Sequence, residues 1–139
     1  MELSYLPLRA TIGAFVLNSG LAKRDLEGQA AESLHGFAAS ALPPLKKLEP
    51  RRFARLLSTG EIALGTALLV PVIPAAAAGL GLVGFASGLL WLYWKTPGMH
   101  EPGDPRPTEQ GTVLAKDIWL LGAGLTLVIG GLVNRRRRY

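Results

Sequence analysis

Cysteine is missing from the sequence, which removes disulfides, thiolate metal sites and cysteine nucleophiles together. Histidine is scarce. His35 falls in an amphipathic stretch and His100 in "GMHEPGD", so neither lies in an apolar run where two histidines could hold a haem between helices. A metal held by His100 with Glu101 and Asp104 is the one hard-ligand grouping in sight, and a solvated loop accounts for the same residues. No nucleophile–base constellation, phosphate loop or metal-ligand spacing is present. Charge is also thin over long stretches: from Leu56 to Trp94 the single charged side chain is Glu61. The net charge of +5 comes from basic residues that flank apolar runs. They lack the interleaved aromatics of a base-stacking surface, which argues against a nucleic-acid partner.

What is abundant is apolar length. A bilayer core of about 30 Å needs about 20 apolar helical residues, and the run from Leu56 to Trp94 is enough for two spans and too long for one. Pro71 and Pro74 in "VPVIP" sit near its middle, where proline ends a helix and a reversal belongs. A buried hairpin of a soluble protein is the rival reading, but no other segment could cover it. A further span is expected over about 112–133, stopped by "NRRRRY". The first, about 5–22, contains Arg9, whose long side chain could snorkel to the interface. A cleaved signal peptide ending at the small residues Gly20 and Ala22 is the alternative, although Glu2 and the late Arg9 make a poor basic leader. With spans over about 54–72 and 75–94, the expected fold is an all-α integral membrane protein: a single domain, 1–139, forming an antiparallel bundle of four transmembrane helices. Between the first two spans, Leu26, Ala30, Leu34, Phe37, Ala41 and Leu45 recur at helical spacing. That predicts an amphipathic helix over about 26–42, lying in the interface or folded back on the bundle. The stretch "KTPGMHEPGDPRPTEQG" reads as irregular.

Four antiparallel spans put both long loops on one membrane face and the termini, with the VPVIP turn, on the other. Heights then become readable. Glu61 lies roughly 7–8 Å in from Leu56 on the loop face, where Asn18, Lys23, Trp91, Trp94, Lys95, Lys116 and Asp117 are also placed. An acid at mid-bilayer costs about 2.5–3.5 kcal/mol on insertion scales and less toward the interface, and Lys23, Lys95 or Lys116 is at the right height to pair with it. Glu61 is therefore either an ion-pair anchor or part of a loop-face pocket. Gly84 and Gly88 in the third span, and Gly60 and Gly65 in the second, suit close helix packing, with self-association as the other use of such faces. Trp91 and Trp94 suit an aromatic belt. Arg135, Arg136, Arg137 and Arg138 form a basic tail (134–139) suited to anionic lipid. Orientation is contested: the loop face holds most of the 15 Lys and Arg, whereas the densest cluster directly follows the last span.

Two stretches resemble the DoxX-like family of small four-helix bacterial membrane proteins. "LRATIGAFVLNSGLAK" resembles its opening pattern, an arginine before a short span that ends in Gly20 and Lys23. "STGEIALGTALLVPVIPAAAAGLGLVGFASG" resembles its second and third spans, with Glu61 followed by Gly65. The resemblance implies a four-helix bundle in a bacterial plasma (inner) membrane, termini in the cytoplasm and loops outside, with links to quinone-dependent redox chemistry and membrane redox complexes. It covers about half the chain, and the loop after the first span is longer than the pattern has. Together these readings favour a non-catalytic subunit or scaffold of a membrane, and by the resemblance redox, complex. The bilayer and a membrane-protein partner would be its contacts, and no cofactor of its own is expected. One alternative is a quinone- or lipid-binding redox protein lined by Asn18, Glu61, Trp91, Lys95 and Lys116. The other is a small transporter, against which the shallow position of Glu61 argues.

Overall fold

The computed structural model describes residues 3–95, Gly103 and residues 117–137. Among them it is entirely helical. A 3₁₀ turn, Leu3–Tyr5, leads into α1, Leu6–Lys23, with Pro7 in the first turn, where its missing N–H leaves nothing unbonded. The amphipathic helix α2, Gly28–Ala41, begins at Gly28 with φ of 57°, a left-handed conformation suited to glycine. After a 3₁₀ turn over Pro43–Lys47, α3 runs Pro50–Leu69 with proline again opening the helix. α4 is Ala75–Lys95 and α5 is Ile118–Arg137.

Boundaries differ from the sequence expectation in two places, for local reasons. Pro50 is well placed to start a helix, so α3 begins before the apolar run and stops at Leu69, since Pro71 cannot continue it. α5 extends through Asn134 to Arg137, which places the arginines on the helix itself. The first part of the expected fourth span, 112–116, lies outside the described residues.

The helices pack as two antiparallel pairs, α1 along α3 and α4 along α5. Glycine sets both crossings. A Cβ on Gly65 would sit 2.6 Å from the Leu17 backbone nitrogen, and one on Gly20 would sit 2.8 Å from that of Ile62. In the second pair, Gly79 and Gly124 face each other's backbone, and Gly131 lies against Ala76. The pairs meet toward the terminal face around buried Leu68, Ala78 and Leu127, with Tyr5, Leu8 and Ile73 packed alongside. α2 folds back on α3, burying Ala31, Ala38 and Ala39. The ring of His35 meets Phe53 edge-on, and its Nε2 donates to the Leu45 carbonyl at 2.7 Å.

The expected packing glycines are only partly the ones used. Gly65 packs, but Gly60, Gly84 and Gly88 have open space where a Cβ would go. Their spacing puts Gly84 and Gly88 on one helix face, and that face is turned away from the neighbours within this chain.

α4 and α5 are each long and apolar enough to cross a membrane. α1 and α3 fall short of that mark because each carries buried charge, Arg9 in one and Glu61 in the other, and α3 starts with exposed arginines.

Substituting Gly65 with Ala is expected to destabilise the full-length chain by about 1–3 kcal/mol, because the new methyl meets backbone that cannot yield. Gly84→Ala is expected to be neutral, or stabilising by up to about 1 kcal/mol through helix propensity. Reversible unfolding in detergent micelles measures both.

Candidate functional site

Three charged side chains define the interior of the α1–α3 pair, and they sit at opposite ends of it. Toward the loop face, Lys23 donates to both Glu61 carboxylate oxygens, at 3.0 and 3.2 Å. The same ammonium donates to Ser19 Oγ at 2.6 Å, four residues earlier and therefore on the same face of α1. Glu61 is 3% exposed, whereas the Lys23 side chain keeps 23% of its surface open. Gly20 makes this geometry reachable: its bare backbone lets α3 come close enough for Ser58 Oγ to donate to the Gly20 carbonyl at 2.6 Å.

At the other end Arg9 is 2% exposed. Its Nε donates to the Leu68 carbonyl at 2.8 Å, and Nη2 donates to those of Ala67 at 2.8 Å and Val70 at 3.1 Å. Nη1 donates to Ile73 at 3.0 Å. The carbonyls of Ala67 and Leu68 end α3 without helical donors, while that of Val70 also accepts from Ile73 N–H at 3.2 Å. The guanidinium also lies at the negative end of the α3 dipole. Arg9 therefore does not snorkel outward as its sequence position suggested; it turns inward and caps the neighbouring helix. The signal was present, because two prolines within five residues of the end of α3 at Leu69, Pro71 and Pro74, remove amide donors that something must replace.

The other expected site residues are dispersed. Lys95 does not reach Glu61; its ammonium sits 4.8 Å from the centroid of the Trp91 ring, a cation–π contact at the exposed end of α4. Asn18 and Trp94 are exposed. Asp117 precedes α5, and its carbonyl accepts from Leu121 N–H at 3.2 Å. Arg135, Arg136 and Arg137 form the exposed last turn of α5. Lys116, Arg138, His100, Glu101 and Asp104 lie outside the described residues.

Two spaces adjoin these groups. Between α3 and α4 lies a groove of about 530 Å³ lined by Leu57, Gly60, Glu61, Leu64, Gly81 and Phe85 among others, open along one side. At the terminal face a smaller hollow of about 300 Å³ is bordered by Tyr5, Arg9, Pro71, Pro74, Asn134 and Arg135.

Chemically, the arrangement is one of neutralised charge. Both oxygens of Glu61 hold Lys23, and all three guanidinium nitrogens of Arg9 hold backbone carbonyls. The chain matches no family model, no curated protein and no solved structure.

A double-mutant cycle separates this pair from the other basic candidates. Glu61→Gln and Lys23→Met are each expected to destabilise by about 2 kcal/mol or more. The double variant should fall well short of the sum, because removing one partner strands the other. Lys95→Gln is expected to change stability by less than about 0.5 kcal/mol. Equal, additive losses would show that Lys23 and Glu61 are not coupled.

Proposed function

We propose that the chain is a four-span membrane protein acting as a non-catalytic subunit or scaffold of a membrane complex, of the DoxX-like kind that its sequence resembles. The observation that carries this is where polarity and apolarity fall. The interior charges are satisfied within the α1–α3 pair, while the large apolar side chains of the longest helices face outward. Of the apolar stretches of α4 and α5, 22% and 11% are buried within the protein, whereas the core helix of a soluble protein would be mostly covered. Phe15, Leu80, Trp119 and Ile129 are all more than half exposed. Such a surface needs lipid or protein against it.

On this reading α1 and α3 also span. Their hydropathy is lowered by Arg9, Glu61 and Lys23, and those charges lose most of their insertion penalty once paired with each other or with backbone carbonyls. Scaffolding is favoured over catalysis because the charged groups that could act as acid or base already hold structural partners. Outward-facing Gly84 and Gly88 would let a partner helix approach closely. The plasma membrane of a bacterium, with the termini in the cytoplasm, is the location that the resemblance implies.

Two experiments test the reading. Because the chain has no cysteine, single cysteines map its topology directly. Four spans require Ser4→Cys and Val72→Cys to be labelled from one side of sealed vesicles by an impermeant maleimide, and Gly36→Cys from the other. Labelling of all three from the same side would restrict the spans to α4 and α5. Purification of the tagged chain from its native membrane in mild detergent, with mass spectrometry of what accompanies it, is expected to recover a stoichiometric membrane-protein partner. A chain that emerges alone and turns over a substrate would overturn the scaffold reading.

A further inference from the structure

The groove between α3 and α4 is larger than the terminal hollow, and the ion pairs leave it unfilled. We propose that it holds one acyl chain of an anionic phospholipid from the loop-face leaflet, an inference that rests on the membrane-spanning reading above. Its lining is apolar apart from Glu61, whose carboxylate oxygens accept from Lys23 on α1. Water has no purchase there, since an ordered water needs two to four polar partners.

Length and volume select the occupant. On α3 the lining runs from Leu56 to Ala67, which at the helical rise is about 16–17 Å. That is close to half of a hydrocarbon core of about 30 Å, the depth of a single leaflet. The terminal end is closed by Ile73 and Ala78, which belong to the core where the two helix pairs meet. A chain lying in it therefore has its tail toward the closed end and its headgroup toward the loop face. The groove, about 530 Å³ and one leaflet long, has room for a single extended hydrocarbon chain along its length.

Charge marks the mouth. Arg52 lies four residues before Leu56, on the helical row of α3 that continues through Gly60 and Leu64 into the groove. It is exposed, about one turn above the apolar lining, at the height of a headgroup. Its neighbour Arg51 is paired with Glu27 at 3.3 Å. A guanidinium at Arg52 is suited to a lipid phosphate.

The test uses the full-length chain reconstituted in phosphatidylcholine vesicles doped with phosphatidylglycerol carrying a diazirine in one acyl chain. After illumination, adducts are mapped by mass spectrometry. They are expected to concentrate on Leu57, Leu64 and Phe85 over the outward face of α5 at Leu125 and Ile129. Gly60→Leu, which puts a side chain into the open space at Gly60, should abolish the groove adducts, and Ala77→Leu should do the same from the opposite wall. Gly122→Leu, also in open space but on α5, should leave them intact. Arg52→Gln should lower groove labelling by the phosphatidylglycerol probe roughly fivefold, the worth of one basic side chain near an anionic surface. The same diazirine on phosphatidylcholine should respond little to that change. Even labelling around the bundle, or groove adducts that survive both filling variants, overturns the proposal while leaving the membrane reading in place. A chain that alkaline carbonate strips from the vesicles overturns both.

Discussion

The fold depends first on the Arg9 cap. α3 ends beside two prolines, so the chain that follows completes only some of the carbonyls there: Val70 N–H reaches Thr66 at 2.9 Å and Ile73 N–H reaches Val70 at 3.2 Å. Buried carbonyls without donors cost about 1–3 kcal/mol each, and more where no water can reach. One guanidinium presents five donors in a fixed fork, and Arg9 spreads its donors over carbonyls of Ala67, Leu68, Val70 and Ile73. Lysine could not reach that spread from one ammonium. Because the donor lies on α1 and the acceptors at the far end of α3, the cap fixes the register and the antiparallel sense of the pair. It also positions the turn from which α4 departs.

The Lys23–Glu61 pair fixes the other end of the same two helices. Between these polar ends the contact is made by glycine: Gly13, Gly20 and Gly65 allow the backbones to touch, which shortens the distance that Lys23 must span to reach Glu61. Close packing and charge pairing thus depend on one another, since a methyl on Gly20 or Gly65 would move apart the helices that carry the charges. The α4–α5 pair is built differently, from glycine contacts without a buried ion pair among the described residues. Specificity in the first pair comes from polar geometry, and in the second from shape. The groove lies where these two kinds of pair meet imperfectly.

Much of this was legible in the sequence, and what was not has a common cause. The helices follow from apolar length and from Pro50, Pro71 and Pro74. Placing Glu61 and Lys23 at one height followed from counting residues along antiparallel helices. Height, however, says nothing about direction around the helix axis. Lys95 is placed at that height as well, yet it points to Trp91, and no linear count separates it from Lys23. The same blindness applies to glycine. Gly84 and Gly88 share a face by spacing, as Gly13 and Gly20 do, but spacing does not say which face meets a neighbour. Arg9 cannot be read from its own helix, because its partners are carbonyls 58 to 64 residues later, at the end of α3 and in the turn after it.

On the four-span reading, an isolated α1 would carry Arg9 with nothing to neutralise it, at a penalty of about 2.5–3.5 kcal/mol near the bilayer centre and less toward the edge. α3 would carry Glu61 under the same penalty. Each is marginal alone and becomes compatible with lipid only when the two meet. α2 and the turn after it separate the partners in sequence while α2 folds back onto α3. Insertion of the first half of the bundle is then a cooperative event, with the pair and not the single helix as its unit. On that reading, hydropathy summed helix by helix would undervalue α1 and α3 for the same reason: it charges each helix for groups that the other one satisfies.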